Sequence, residues 1–226
     1  MKMNISLVFL LALLPAVPAG AEVRFSDPGI PGGEELSYDM YVDGEPSTKT
    51  VRTDIVTEDG IEFYEVKSDS VRRAGMIRIM RRDMSVCSIR SVNKGKDAVI
   101  ERTSRLLEKK ADLEDDEAGL VGFEGINTLM RGYPFGEREY VKIVILGNAG
   151  PPFPLKVSME GREILEIKDK KTECYKLKMS VAGLWGKFFS KTYMWYGVEA
   201  PHCLVRYEGP TGGPGSPRMV QELSGR

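Results

Sequence analysis

Residues 175–181 read Tyr-Lys-Leu-Lys-Met-Ser-Val, with an apolar side chain at every second position. Successive side chains of a β-strand point to opposite faces, so this period of two predicts a strand with one buried face and one solvent-exposed face. The same alternation recurs at residues 36–40, 51–55 and 141–145. Dipeptides typical of tight turns punctuate these runs: Asp43-Gly44, Asp59-Gly60, Lys94-Gly95 and Glu160-Gly161.

One-sided alternation favours antiparallel strands over the continuous apolar runs of a parallel sheet. Asp59-Gly60, between two alternating runs, is the strongest hairpin signal in the chain. The sequence therefore predicts a mainly β protein, built as a single curled antiparallel sheet or an open barrel.

One stretch breaks the pattern and predicts a short helix near residues 123–131. Phe123, Ile126 and Met130 fall at i, i+3 and i+7, with Leu129 beside them, and this spacing is typical of an amphipathic helix that ends near Gly132. Two roles for the helix are open. It either plugs the open side of the sheet or forms the lid of a cavity.

The N-terminus has the pattern of a secretory signal peptide. Residues 5–14 are apolar except for Ser6, and Ala19-Gly20-Ala21 gives the small-residue pattern of a cleavage site. The prediction is a signal peptide over residues 1–21 and a single β-rich envelope domain over residues 22–226. No cysteine lies near the cut, so we predict a periplasmic protein that is not a lipoprotein. No later apolar run reaches the ~20 residues that a membrane-spanning helix needs.

The formal net charge of −1 gives the chain no global attraction to nucleic acid. The three cysteines are Cys87, Cys174 and Cys203. Export implies an oxidising compartment, in which Cys174 and Cys203 are the candidate pair. They fall on two strands with a third strand between them, about 9–10 Å apart at the usual spacing, which is beyond the reach of a disulfide. We therefore predict that they stay unpaired.

Several short motifs resemble the bacterial exported family known as domain of unknown function 3108 (DUF3108). The matching segments are an opening strand at residues 34–38, a helix at residues 126–131 and a strand at residues 140–146. They continue with a strand containing Cys-Tyr-Lys at residues 172–177, a strand containing Trp at residues 193–196 and a closing strand at residues 204–208. The resemblance implies an envelope β-domain and no known activity. A weaker, fold-level likeness is to periplasmic lipoprotein carriers, in which a curled half-barrel and helices enclose an acyl-chain cavity.

The sequence predicts no catalytic site, no metal site and no cofactor. His202 is the single histidine and is expected at the surface of a strand, and no Gly-x-Ser-x-Gly motif presents a nucleophile. Three dispersed cysteines and one histidine do not supply a zinc ligand set. The acidic run at residues 112–117 lacks the spacing of a calcium loop and favours a solvated loop. We expect a protein that is not an enzyme.

An arginine- and methionine-rich stretch is the first candidate for ligand binding. If residues 76–82 form a strand, Met76, Arg78, Met80 and Arg82 share one face, and Ile77 and Ile79 the other. Guanidinium groups could bind the phosphate or carboxylate of an anionic amphiphile, and methionines its chain. The alternative is a solvated face on which the arginines pair with acidic residues.

An aromatic cluster is the second candidate, comprising Trp185, Phe188, Phe189, Tyr193, Trp195 and Tyr196, and Tyr193 and Trp195 are expected to share a strand face. It could form the mouth of an apolar pocket or a patch that meets a partner, and the alternative is ordinary core packing. Two functions are thus open. One is the binding or carriage of a lipid-like amphiphile in the cavity of a curved sheet, and the other is a non-catalytic structural or protein-interaction module of the envelope.

Overall fold

A computed structural model describes residues 25–94, 98–102, 117–120, 125–145, 153–181, 191–211 and 215–226. Its strands form one 13-stranded sheet. They are β1 (Glu34–Val42), β2 (Glu45–Glu58), β3 (Ile61–Ser70), β4 (Arg73–Met80), β5 (Val86–Asn93), β6 (Ala98–Arg102), β7 (Glu117–Leu120), β8 (Tyr140–Ile145), β9 (Phe153–Ile167), β10 (Lys170–Val181), β11 (Thr192–Gly197), β12 (Leu204–Pro210) and β13 (Arg218–Gly225). The mainly β prediction is confirmed.

The sheet consists of two meanders joined at the first and last strands. The strand order is β6-β5-β4-β3-β2-β1-β13-β12-β11-β10-β9-β8-β7, so consecutive strands are neighbours within each half. We call β1–β6 the first wing and β7–β13 the second wing. All pairs are antiparallel except β7 with β8, which is parallel. The end strands β6 and β7 do not pair with each other within the described residues, so the sheet is open.

Two-residue turns fix the register of the hairpins. Asp43 and Gly44 join β1 to β2, Asp59 and Gly60 join β2 to β3, and all four have positive φ, as the twist of such hairpins requires. The prediction of a turn at Glu160-Gly161 was wrong. Gly161, with φ 144°, lies inside β9 at an irregularity of the β9–β10 pairing. The β9–β10 turn is instead Lys168-Asp169, also at positive φ.

The inner faces of both wings bury one continuous apolar core. The cluster includes Tyr64 and Ile79 of the first wing and Leu177 and Met194 of the second. Side chains from distant strands meet in one cluster only if the sheet curls around it. We use "inner face" for the side of the sheet that carries this core and "outer face" for the opposite side.

The predicted helix exists and fills the inside of the sheet. It is α1 (Ile126–Leu129), and a 3-10 helix (Met130–Gly132) continues it to the predicted end near Gly132. Its side chains Ile126, Leu129 and Met130 are buried in the core cluster. We call residues 126–132 the plug. Of the two roles left open, the packing therefore favours the plug over the lid of a large cavity.

The remaining expectations concern other parts of the chain. The predicted signal peptide, residues 1–21, and the acidic run at residues 112–117 lie outside the described residues. Cys87, Cys174 and Cys203 are free thiols, as predicted for the last two. None of the helices in the described ranges is long and apolar enough to span a membrane.

Candidate functional site: a groove on the outer face

Strand register aligns five outer-face residues in one row across the first wing. Arg90 of β5 pairs with Met76 of β4, Met76 with Lys67 of β3, Lys67 with Arg52 of β2, and Arg52 with Glu35 of β1. Neighbouring strands lie about 4.8 Å apart, so the row spans roughly 19 Å. We call this the basic row.

A second row runs beside the basic row and completes a groove. It consists of Val92, Ala74, Asp69 and Thr50, which pair in that order across β5, β4, β3 and β2. Together the two rows line an open groove of about 510 Å³ on the outer face. This volume falls in the range of about 300–1,000 Å³ that is typical of small-molecule sites.

The apolar part of the groove lies at its β4–β5 end. Met76, Ala74 and Val92 are all half-buried there. Met76 lies between two cations of the basic row, Arg90 on one side and Lys67 on the other, and Ala74 and Val92 lie beside it in the second row. The arrangement places a short apolar floor directly beside a positive charge.

The charges along the groove are not equally available to a ligand. Lys67 Nζ lies 2.9 Å from Glu65 Oε1, and Arg52 Nε lies 3.2 Å from Asp54 Oδ2. The hydrogen bond from Lys67 is the main cause that lowers the pKa of Glu65, against the effect of burial. Arg90 is exposed and has no ion pair with any described carboxylate side chain. Arg90 is therefore the cation best placed to receive an anion.

The structure separates the four arginine and methionine candidates. Met76, Arg78 and Met80 lie on the outer face of β4, alternating with buried Ile77 and Ile79, as predicted. Met76 lines the groove, whereas Arg78 binds both oxygens of Glu58 at 2.8 Å and Glu65 at 3.1 Å. The placement of Arg82 on this strand was wrong.

β4 ends at Met80, and Arg82 falls in the following turn, 3.6 Å from Asp83. The turn at Arg81–Asp83 redirects the chain, so the strand-face argument cannot extend to Arg82. Of the four candidates, the structure thus brings one, Met76, into the groove.

The aromatic candidates that can be described lie on the second wing. Tyr193 and Trp195 share one face of β11, as predicted. It is the outer face, and Trp195 is only 5% exposed. Its indole N–H donates to Glu163, and Lys176 and Arg206 lie over its ring at 5.1 and 5.8 Å. Trp195 is thus covered by charged side chains and lies apart from the groove. Trp185, Phe188 and Phe189 fall outside the described residues.

His202 differs from its predicted place on a strand. It sits in the turn before β12 at φ 51°, where its ring packs 4.9 Å from Phe135 and its Nδ1 lies 3.0 Å from the Gly197 carbonyl oxygen. Among the described side chains, no three of His, Cys, Asp and Glu converge as a metal site.

Sequence reasoning missed most of the groove, namely Arg52, Lys67, Ala74, Arg90 and Val92. One signal was available: the Asp59-Gly60 hairpin fixes the register that sets Arg52 opposite Lys67. The β3–β4 and β4–β5 registers had no such turn signal in the sequence, so Arg90 could not be placed.

No protein-family model matches the chain, and neither does any curated protein sequence. The resemblance to DUF3108 thus stays a prediction. Solved structures with a similar chain path include the hypothetical lipoprotein YmcC from Escherichia coli, at 11% identity, with 88% of this chain and 91% of that chain covered and a TM-score of 0.40.

Two others are a beta-barrel-like protein of domain of unknown function DUF1849 from Brucella abortus and a DUF1329 family protein from Desulfovibrio piger. The first has 7% identity, 89% and 97% coverage of this and that chain, and a TM-score of 0.38. The second has 12% identity, 84% and 82% coverage, and a TM-score of 0.30. Likenesses of this size carry no information on function, and the groove is interpreted from this chain alone.

Proposed function

We propose that this chain is an exported, periplasmic and non-catalytic protein that binds a single-chain anionic amphiphile in the groove of the first wing. The observation that carries the proposal is the register of Arg90 beside Met76, which joins an exposed cation, without an ion pair to any described carboxylate, to an apolar floor. The anionic head binds at Arg90, and the chain lies over Met76, Ala74 and Val92.

The Arg90 side chain determines which head group of the ligand fits the site. A guanidinium presents a planar fork of N–H donors that matches two oxygens of a phosphate or carboxylate. Because Lys67 and Arg52 are already paired with acids, they do not require a second anion. A ligand with one anionic head and one chain satisfies both halves of the site.

The site proposed here differs from the sheet interior, the location expected from the sequence. The inner face is occupied by the core and the plug, and the cavity beside the plug measures about 30 Å³. An acyl chain does not fit a space the size of one or two water molecules. The groove on the outer face is the larger of the two spaces.

Native mass spectrometry of the exported protein, purified without detergent and incubated with dodecyl phosphate below its micelle concentration, tests the proposal. We expect one bound amphiphile per chain. Arg90→Gln removes a charge-assisted hydrogen bond worth about 1.5–3 kcal/mol, so the dissociation constant should rise about 10- to 100-fold. Arg82→Gln, on an exposed arginine outside the groove, is the matched control and should bind as the wild type does.

A second comparison separates the effect of head-group charge from that of chain hydrophobicity. Dodecyltrimethylammonium has the same chain with a positive head and should bind much more weakly. Equal affinities in Arg90→Gln and Arg82→Gln, or equal binding of both head groups, would contradict the proposal.

The alternative function is a structural or interaction module of the envelope. The observation in its favour is the packed interior, because a carrier with its cargo inside the sheet needs an empty one. On that hypothesis native mass spectrometry detects only the unliganded protein, whichever amphiphile is added. Substitutions in the groove then leave this result unchanged.

A further inference from the structure

Gln221 is a polar side chain at the centre of the core. It lies on the inner face of β13, between Met40 of β1 and Tyr207 of β12, and is 1% exposed. Among the described residues, neither its Oε1 nor its Nε2 has a hydrogen-bond partner. Burying an amide without partners costs free energy, and native proteins rarely leave such groups unsatisfied.

Asn127 of the plug has the same deficiency. Its backbone carbonyl accepts a hydrogen bond of 3.1 Å from the Tyr196 hydroxyl, but its side-chain Oδ1 is buried with no partner in the part of the chain that the structure describes. Three unsatisfied polar atoms therefore come from two side chains, one on the plug and one on the sheet.

Both side chains line the same cavity. The cavity measures about 30 Å³ and lies between the plug and strands β1, β2, β3, β4, β12 and β13. Its other polar lining residues include Thr53, Ser68 and Thr128. Gln221 and Asn127, which carry the three unsatisfied atoms, thus line one small space together with polar and apolar neighbours.

The size and chemistry of this space identify its occupant. One water molecule needs about 10–15 Å³ by this measure and about two to four polar partners. Two acceptors, Gln221 Oε1 and Asn127 Oδ1, and one donor, Gln221 Nε2, complement the two donors and the acceptor lone pairs of water. Larger ligands are excluded by volume.

We propose that this cavity is a buried hydration site that holds one or two ordered water molecules and joins the plug to β13. The water donates to the carbonyl oxygens of Gln221 and Asn127 and accepts from the Gln221 amide N–H. The plug is then attached to the sheet partly through water. This inference is independent of the groove on the outer face.

Magnetic relaxation dispersion of water nuclei, which counts long-lived buried waters in solution, tests the site. Gln221→Met and Asn127→Leu replace the amides with apolar side chains of similar length. We expect each to lose one or two long-lived waters relative to the wild type. Met179→Leu, a core substitution on β10 outside the cavity lining, is the control and should keep the wild-type count.

A crystal structure of the wild type covers the case in which the variants do not fold. The expected result is a water peak about 2.7–3.2 Å from both the Gln221 and Asn127 side-chain amides. The inference would be overturned by an unchanged water count in a folded Gln221→Met protein. It would equally be overturned by a cavity without a peak, or by the two amides bonded directly to neighbouring side chains.

Discussion

Arg131 of the plug and Glu34 of β1 form a buried, bidentate ion pair. The two residues are 97 positions apart in the sequence. Arg131 Nη1 lies 2.6 Å from Glu34 Oε2, and Nη2 lies 3.0 Å from Oε1. The two side chains are only 5% and 13% exposed. Arg131 Nε also donates to the Pro201 carbonyl oxygen at 2.8 Å. One side chain thus ties the plug to β1 and to the turn before β12.

Removing one partner of this pair should destabilise the fold strongly. Arg131→Met leaves the Glu34 carboxylate buried without its cation, and we expect a loss of about 3–5 kcal/mol in the free energy of unfolding. Glu34→Gln combined with Arg131→Met removes both charges and should recover part of that loss. Chemical denaturation of the single and double variants measures both effects. A single variant within about 0.5 kcal/mol of the wild type would show that the pair is not structural.

Gly132 ends the plug where no side chain fits. A Cβ at this position would lie 2.4 Å from the Ser26 carbonyl oxygen and 2.9 Å from Met84 Cγ. Gly132→Ala should therefore destabilise the protein by at least about 1–3 kcal/mol, the usual cost of overpacking. Gly197→Ala is the control, because its Cβ would meet nothing closer than the Cys203 carbonyl oxygen at 3.9 Å. Equal melting temperatures for the two variants would contradict the close approach.

Acid should weaken the attachment of the N-terminal segment. Burial alone would raise the pKa of Asp27, but hydrogen bonds from Tyr64, the Gly29 N–H and Arg81 outweigh it and lower that pKa. A carboxylate with a lowered pKa in the folded state stabilises the fold above its unfolded pKa of about 4. That stability is lost as the pH falls through the folded pKa.

Unfolding free energies between neutral pH and about pH 3 should thus fall less steeply in Asp27→Asn than in the wild type. Asp59→Asn, in the β2–β3 turn, is the control, since Asn suits the same left-handed backbone. Identical pH profiles for Asp27→Asn and the wild type would contradict the assignment.

The two buried thiols should resist alkylation in the folded protein. Burial raises the pKa of Cys174 to about 12, with nearby Glu163 adding to the effect, and burial also raises the pKa of Cys203. Because the thiolate is the reactive form, only half-buried Cys87 should react readily near neutral pH. All three should react in denaturant without reductant. A single reactive thiol under those conditions would reveal a Cys174–Cys203 disulfide.

Local patterns in the sequence predicted the strands but not their partners. Alternation correctly identified the inner and outer faces of β4 and β10, and Asp-Gly dipeptides marked two hairpins. The Lys168-Asp169 turn has no glycine and gave no signal, although both residues have positive φ. Alternation also placed Arg78 on the outer face, yet only the register shows that Glu58 and Glu65 bind it.

The groove and the hydration site both depend on contacts between distant segments. Arg90 and Met76 meet through a register that no local motif specifies. Gln221 reads as an ordinary polar residue in its strand until the sheet curls and the plug buries it. Such features follow from tertiary packing, which cannot be predicted from the alternation of side chains along a single strand.

The most direct test of the amphiphile site is to fill the groove without changing its charge. Ala74→Trp places an indole on the apolar floor, and Thr48→Trp adds the same ring outside the groove lining. Isothermal titration calorimetry measures the affinity of each variant for dodecyl phosphate. We expect Ala74→Trp to bind at least about tenfold more weakly, a difference of about 1.4 kcal/mol, and Thr48→Trp to bind as the wild type does. Undiminished binding by a folded Ala74→Trp protein would contradict an amphiphile site in the groove.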